Sequence, residues 1–230
     1  MAHPDHALWK KGWRANQIPF HLAHVHPLLA RFWPVFGLGK DERVFVPLCG
    51  KSLDLMWFHR RGHHVVGVEL SPVAVKAFFK AARLTPRRQQ HADLTRWTED
   101  RLDIYCGDFF GLTRDDLLGV RAVYDRAALT ALPENLREYY VAHLHAILPA
   151  DCYVLLITVE DLDNDERASD NMASSAEIIS LYKGYFAIEL LHAELHHATR
   201  HDSGRSADPR CIHKVYRLQR SGPGQAPPQP

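Results

Sequence analysis

A carboxylate, Glu69, ends the apolar run HVVGVE at residues 64–69. At the end of the second strand of a βαβ unit, an acidic side chain accepts hydrogen bonds from both hydroxyls of a ribose. Glu69 lies 19 residues after Gly50, the glycine of the turn that follows the preceding apolar run. A solvated charge at a strand end suits the same position, and the sequence alone leaves both interpretations open.

Further polar side chains stand where two later apolar runs end. The segment CGDFF holds Asp108 and Phe109. In such a fold Asp108 lies where the adenine amino group of a cofactor would be, and Phe109 is able to pack on the adenine ring. A turn aspartate beside a core phenylalanine is the alternative. The segment YDRAAL places Asp125 and Arg126 at a strand end as well. Because an unpaired charge there is costly, Arg126 either pairs with Asp125 or meets an anionic ligand.

The turn PLCGKS at 47–52 lacks both common phosphate-binding patterns. A P-loop requires a glycine five residues before Gly50, and that residue is Phe45. The dinucleotide pattern GxGxxG is missing too, which disfavours a nicotinamide-dependent oxidoreductase. A ribose contact without a pyrophosphate cradle indicates a nucleoside-type cofactor such as S-adenosylmethionine.

Short apolar strands alternate with helical patterns from Arg43 onward, which predicts an α/β fold with ligands bound outside the carboxyl ends of the strands. Helices are expected after Ser52, after Ser71 with Pro72 at the first helical position, from Pro133, and at the capping box of Ser174 and Glu177. The predicted strands are 43–48, 64–69, 102–106, 120–125, 153–159, 186–191 and 211–218. We expect a mostly parallel, seven-stranded twisted sheet with helices on both faces, in which the last two strands are antiparallel partners.

The composition excludes several classes of protein. The 230 residues favour one domain, and a formal charge of +1 gives no broad positive field for nucleic acid. The longest apolar run has six residues, 152–157, against about 20 for a membrane-spanning helix. No signal-peptide pattern is visible, so we expect a cytoplasmic protein with four reduced cysteines. Among 16 histidines, His192 is followed by Ala193 rather than Glu, and we expect no metal site.

Several segments resemble one known family, the thiopurine S-methyltransferases in their bacterial form. These segments are LWKKGWRANQIPFH at 8–21, the stretch 43–79 with PLCGKS and GVELS, CGDFFGL at 106–112, YDRAALTALP at 124–133 and KVYRL at 214–218. The resemblance implies a Rossmann-like class I methyltransferase that uses S-adenosylmethionine. Its members methylate aromatic and heterocyclic thiols, and bacterial members are linked to methylation of selenium and tellurium oxyanions.

The resemblance also implies roles for particular residues and segments. We expect a helical cover over the cofactor at 1–40, a methyltransferase core at 41–220 and a loose tail at 221–230. Phe20 is expected to face the substrate, and Arg126 is expected to favour the anionic form of the nucleophile. The substrate is expected to be a small thiol or a selenium or tellurium oxyanion, and the protein a monomer. The implied cofactor contacts are Trp9, Trp13, Leu48, Glu69, Asp108, Phe109 and Arg126.

One segment departs from the family. Relatives carry a proline-rich loop after the fifth strand, whereas residues 160–173 are acidic and lack proline. A late arginine that faces the substrate in the family corresponds here to Arg200 or Arg205. Because this loop is altered, an alternative stays open. The alternative is a protein of the same fold that binds S-adenosylmethionine but is noncatalytic or has a different specificity.

Overall fold

The structure is a computed structural model that describes residues 5–15, 17–18, 21–161, 172–197 and 210–220. The chain forms two compact units. The first comprises residues 1–124 with 147–149, and the second comprises residues 125–146 with 150–230. None of the helices in the described ranges is long and apolar enough to cross a membrane.

Nine strands and seven α-helices lie within the described ranges. The strands are β1 (Arg43–Val46), β2 (His64–Glu69), β3 (Arg87–His91), β4 (Leu94–Glu99), β5 (Leu102–Cys106), β6 (Val120–Arg126), β7 (Tyr153–Asp161), β8 (Phe186–His197) and β9 (Arg210–Arg220). The helices are α1 (Asp5–Ala15), α2 (Pro27–Phe32), α3 (Asp54–Arg60), α4 (Pro72–Ala82), α5 (Ala128–Ala131), α6 (Glu134–Ile147) and α7 (Ser175–Tyr182).

The strands of the first unit lie in the order β3-β4-β5-β2-β1-β6. β1 pairs in parallel with β2 and β6, and β2 pairs in parallel with β5, whereas β3 and β4 are antiparallel additions beside β5. In β2 every residue after His64 is buried, as expected for a strand that is covered on both faces. The parallel strands therefore bring their carboxyl ends, and the side chains that follow them, to one edge of this sheet.

The helices that follow β1 and β2 begin where the sequence predicts. The Ser52 hydroxyl accepts a hydrogen bond from the N–H of Asp54 at 3.2 Å, at the start of α3. Ser71 precedes α4, and Pro72 is its first residue, where the missing proline N–H has no cost. The buried face of α4 includes Val75 and Phe78, so its apolar stripe is in the core as predicted.

The strands of the second unit that follow β6 lie in the order β7-β9-β8. Both pairings are antiparallel, which confirms the predicted partnership of the last two strands. The predicted helix cap at Ser174 is confirmed as well, since its hydroxyl accepts a hydrogen bond from the N–H of Glu177 at 3.1 Å, whereas the Glu177 carboxylate accepts one from Arg137 at 2.8 Å. Continuous burial from Val154 to Thr158 in β7 agrees with the apolar run in the sequence.

The predicted parallel centre and antiparallel C-terminal strands are confirmed, but the described residues form nine strands rather than the expected seven. The two unpredicted strands are β3 and β4. All five residues of β3, RRQQH, are exposed, so this edge strand shows no alternation of apolar and polar residues. In β4 only Leu94 and Trp97 are buried, three residues apart, which is not a strand-like period.

Candidate functional site

The carboxylate of Glu69 lies at the carboxyl end of β2, where two turns of the first unit converge on it. Its oxygen Oε1 accepts a hydrogen bond from the backbone N–H of Ser71 at 2.7 Å, and Oε2 accepts one from the N–H of Gly50 at 3.0 Å. Only 6% of Glu69 is exposed. The turn after β1 and the turn after β2 therefore hold this side chain in one orientation.

Burial changes the acidity of the groups around Glu69. It raises the pKa of the Glu69 carboxyl to about 7, although the N–H groups of Ser71 and Gly50 favour the charged form. Burial and the neighbouring Glu69 charge also raise the pKa of the Cys49 thiol, and that of Cys106 to about 11. Near neutral pH both thiols are protonated, and Glu69 is the group that changes charge.

The turn after β1 approaches β2 very closely. The N–H of Cys49 donates to the carbonyl of Val68 at 2.9 Å, and a Cβ atom on Gly67 would lie 2.9 Å from the Cys49 sulfur. Leu48, a predicted cofactor contact, is half-buried in this turn and has a φ of 43°. Gly67 is therefore required for the close contact that brings the turn, with Leu48, beside the end of β2.

The N-terminal helix reaches the same turn through Trp13. A Cβ atom on Gly50 would lie 3.1 Å from the indole ring of Trp13, and the ammonium of Lys51 lies 5.9 Å from the centre of that ring. Trp9, one turn earlier on α1, is half-buried. The helix also contacts α4. Helix α1 thus packs against the Gly50 turn, whereas Phe20 lies outside the described residues.

Asp108 and Phe109 follow β5, which pairs with β2 so that Cys106 lies opposite Glu69. Oδ1 of Asp108 accepts a hydrogen bond from the N–H of Phe110 at 3.0 Å, and Oδ2 lies 3.5 Å from Nε2 of His6. Phe109 is 6% exposed. The hydrogen bond from Phe110 is that of a turn aspartate, the alternative that the sequence left open for Asp108. The contact with His6 brings a residue of α1 beside the same carboxylate.

Asp125 and Arg126 belong to the second unit, at the end of β6. Asp125 is fully buried, and its oxygens accept hydrogen bonds from the N–H of Ala128 at 3.2 Å and from the hydroxyl of Tyr140 at 2.7 Å. Burial raises the pKa of Asp125 to about 6, against these hydrogen bonds. Arg126 is half-buried, at the last position of the strand. Asp125 thus ties β6 to α5 and α6.

The loop that departs from the family is described at its two ends, and residues 162–171 lie outside the described ranges, as do Arg200 and Arg205. At the start of the loop, Glu160 is ion-paired with Lys214 and accepts a hydrogen bond from the N–H of Ser175 at 3.1 Å. At its end, the buried guanidinium of Arg137 donates to the carbonyl of Met172 at 3.1 Å. Both ends are therefore fixed to the second unit.

The structure brings six of the predicted side chains into the first unit, which are Trp9, Trp13, Leu48, Glu69, Asp108 and Phe109. Sequence reasoning missed His6, the partner of Asp108, because a lone histidine near a chain start carries no spacing signal. It also missed the two backbone donors to Glu69, which no side-chain pattern reveals. Within the described part of the chain, no group of three or more His, Cys, Asp or Glu side chains is placed to hold a metal ion.

Comparisons of sequence connect this site with known proteins. The model of the thiopurine S-methyltransferase family matches residues 4–221. A thiopurine S-methyltransferase of Stutzerimonas stutzeri is 44% identical over 218 residues, which cover 95% of this chain and 92% of that protein. One from Nitrosospira multiformis is 43% identical over 183 residues, which cover 80% of this chain and 83% of that protein. The matched range includes every residue singled out above.

Comparisons of structure support the predicted fold. The 1,6-didemethyltoxoflavin-N1-methyltransferase of Burkholderia thailandensis, solved with S-adenosylhomocysteine, matches with a TM-score of 0.60 at 15% identity, over 96% of this chain and 92% of that chain. The N-methyltransferase NodS of Bradyrhizobium japonicum, also solved with S-adenosylhomocysteine, matches with a TM-score of 0.57 at 10% identity, over 83% of this chain and 84% of that chain. These likenesses confirm the class I methyltransferase fold.

Proposed function

Because the chain belongs to the thiopurine S-methyltransferase family, we propose that it transfers a methyl group to the sulfur atom of aromatic and heterocyclic thiols. It is an S-adenosylmethionine-dependent methyltransferase, and not the nicotinamide-dependent oxidoreductase that the sequence already disfavoured. The family membership carries the thiol acceptor, and one observation of geometry supports the cofactor. The buried carboxylate of Glu69 is held by two backbone N–H groups at the edge of the sheet where cofactors of this fold bind.

The donor set around Glu69 fits the ribose of S-adenosylmethionine. An ionised carboxylate has about four acceptor positions, and Gly50 and Ser71 occupy two of them. The remaining two suit the two ribose hydroxyls. Since hydrogen bonds to the charged form favour ionisation, we expect cofactor binding to lower the pKa of Glu69 from its value of about 7.

We assign the other cofactor contacts as the family resemblance implies. Asp108 is assigned to the adenine amino group and Phe109 to the adenine ring. Leu48 is assigned to the cofactor through the turn that carries Gly50. The support for Trp9 and Trp13 as a cover is that Trp13 lies against Gly50. Phe20, beyond these helical positions, is assigned to the substrate side of the same cover.

Methyl transfer to a thiolate requires little acid–base catalysis by the protein. The cofactor supplies a methyl group on a positively charged sulfonium, which an acceptor lone pair attacks in line. The chain therefore has to orient the acceptor and exclude water, and we assign the exclusion of water to the cover made by α1. Heterocyclic thiols are partly ionised near neutral pH, so no general base is assigned. Arg126 is assigned the role of favouring the thiolate by its positive charge.

An acceptor panel tests the proposed function directly. The enzyme is incubated with methyl-labelled S-adenosylmethionine and with aryl thiols, thiopurines, phenols and anilines, and we expect label on sulfur alone. Transfer to oxygen or nitrogen with none to sulfur would contradict the thiol assignment. Selenite and tellurite belong in the same panel, since we propose these oxyanions as further acceptors, and absence of labelled product from them removes that extension.

A matched pair of arginine variants tests the role of Arg126. We expect Arg126→Ala to lower kcat/KM for a thiol at least tenfold, because the thiolate loses a neighbouring positive charge. Arg121, five residues earlier on β6, is exposed, and Arg121→Ala should keep full activity. Equal turnover by the two variants would show that Arg126 does not act on the nucleophile.

We also propose that the enzyme works as a cytoplasmic monomer with a helical cover at 1–40 and a core at 41–220. None of the four cysteines, all of which lie in the described part of the chain, forms a disulfide bond, which suits a reducing compartment. Light scattering on the eluting protein should give a mass near 26.3 kDa. A mass near twice that value would contradict the monomer.

A further inference from the structure

The first unit has a polar cleft at the end of its parallel strands opposite to Glu69. It is formed where the chain enters β1, β2 and β5, and six of its lining side chains are Lys40, Asp41, His59, Arg60, Arg61 and Arg101. Its volume is about 240 Å³. Pockets for drug-sized ligands hold about 300 to 1,000 Å³, so the cleft suits a small ion better than a large organic molecule.

The charges around the cleft are strongly unbalanced. Four cationic side chains line it against one carboxylate, that of Asp41. A second carboxylate, Asp100, contacts His59 at 3.1 Å, which leaves two positive charges in excess when His59 is neutral. The whole chain carries only +1. The cleft therefore holds a local excess of positive charge that the rest of the protein does not share.

Two of the arginines are held in place before any ligand arrives. Nη1 of Arg101 donates to Oδ1 of Asp41 at 2.6 Å and to the carbonyl of Gly62 at 3.1 Å. The guanidinium of Arg61 lies 3.7 Å from the centre of the Trp57 ring. A guanidinium has five N–H donors, so both keep donors for an oxyanion. Fixed donors lose less entropy on binding than free ones.

The backbone around Gly62 holds the cleft together. The carbonyl of Gly62 accepts a hydrogen bond from the N–H of Asp41 at 2.9 Å, in addition to the one from Arg101. Gly62 has a φ of 88°, and a Cβ atom there would lie 3.4 Å from Cγ of Lys40. The left-handed backbone at this position favours glycine, and the stem of Lys40 packs against the turn that Gly62 forms.

We propose that this cleft binds a phosphate-class oxyanion, at a site separate from the cofactor carboxylate. The forked donors of Arg61 and Arg101 match pairs of phosphate oxygens, and Lys40 and Arg60 add charge. The ligand is free phosphate or the phosphate of a monoester, since both present the same dianionic group. Glu69 lies at the other end of β2, so the cofactor and the oxyanion bind independently.

Calorimetry with inorganic phosphate, in a low-salt chloride buffer, tests the site on the full chain. The wild-type protein should bind one phosphate with the same affinity in the absence and in the presence of saturating S-adenosylhomocysteine. The double variant Lys40→Gln/Arg61→Gln should weaken phosphate binding at least tenfold, the loss expected for charge-assisted hydrogen bonds. The control Lys80→Gln/Arg121→Gln removes the same charge from two exposed residues outside the cleft, and should change the affinity less than twofold.

Several outcomes would overturn the site. The first is that the wild type shows no saturable phosphate binding. The second is that both double variants weaken phosphate binding equally, and the third is that S-adenosylhomocysteine displaces phosphate. Amide NMR shifts on phosphate addition should map to residues 40–41, 59–62 and 100–101, and shifts confined to residues 48–50 and 69–71 would place the anion at the cofactor carboxylate instead.

Adenosine monophosphate, with adenosine as the control, distinguishes the two sources of the phosphate group. Competition by the monophosphate alone assigns a monoester, and no competition assigns free phosphate. Thiol methylation by Lys40→Gln/Arg61→Gln should equal that of the wild type, so this proposal and the proposed function fail separately.

Discussion

Two buried carboxylates, Asp125 and Glu69, lie near the carboxyl ends of strands, and they differ in what surrounds them. Asp125, in the second unit, is fully buried and accepts from the hydroxyl of Tyr140 and the N–H of Ala128. Glu69, in the first unit, is 6% exposed and accepts from the N–H groups of Gly50 and Ser71. Burial raises the pKa of both, to about 6 and about 7.

The difference lies in the type of donor and in the elements that are joined. The Tyr140 hydroxyl belongs to α6 and connects it to β6, which is a structural use of a carboxylate. The two donors to Glu69 are backbone groups of the turns after β1 and β2, which orient the side chain and leave its other acceptor positions for a ligand. A perturbed pKa therefore does not by itself distinguish a structural carboxylate from a ligand-binding one. The partners distinguish them.

The largest expected effect is on stability, at Asp125. Replacing Asp125 with alanine leaves the Tyr140 hydroxyl and the Ala128 N–H buried without this acceptor, which should lower the free energy of unfolding by about 3 kcal/mol. Urea unfolding followed by circular dichroism measures the change. Tyr140→Phe removes one of the two hydrogen bonds and should lose about 1 kcal/mol. A loss below about 1 kcal/mol for Asp125→Ala would remove the contrast between the two carboxylates.

The next effect is on cofactor affinity, at Glu69. Glu69→Ala should weaken S-adenosylhomocysteine binding by about 1.5 to 3 kcal/mol, the usual contribution of hydrogen bonds to a charged group. Calorimetry on the folded variant measures it, and Tyr140→Phe serves as the control that should keep the wild-type affinity. An unchanged affinity in Glu69→Ala would make Glu69 a structural carboxylate like Asp125.

The smallest effect follows from the pKa of Glu69. The ribose hydroxyls donate to the ionised carboxylate, so cofactor binding requires deprotonation and strengthens as the pH rises through about 7. From pH 8 to pH 6 the ionised fraction of free Glu69 falls from about nine tenths to about one tenth, and the affinity should fall about tenfold. In Glu69→Gln this dependence should vanish. A wild-type affinity that is flat over this range would contradict it.

Much of this arrangement was predictable, because it depends on local patterns. Glu69 was identified from its place at the end of an apolar run, and Pro72 and Ser174 marked helix starts that the structure confirms. Strand β3 was not predictable, since its residues are all polar and exposed and show no alternation of apolar and polar positions. The contacts of Asp125 with Tyr140 and of Trp13 with the Gly50 turn depend on tertiary packing, which spacing along the sequence does not encode.

The most direct test of the account compares cofactor analogues on two proteins. S-adenosylhomocysteine and its 2′-deoxy form are titrated into the wild type and into Glu69→Ala, which has no side-chain acceptor, and the four affinities form a thermodynamic cycle. If Glu69 binds the ribose, removal of the hydroxyl weakens binding to the wild type at least fivefold and leaves binding to Glu69→Ala nearly unchanged. An equal loss in the two proteins would show that Glu69 does not contact that hydroxyl and would contradict the account.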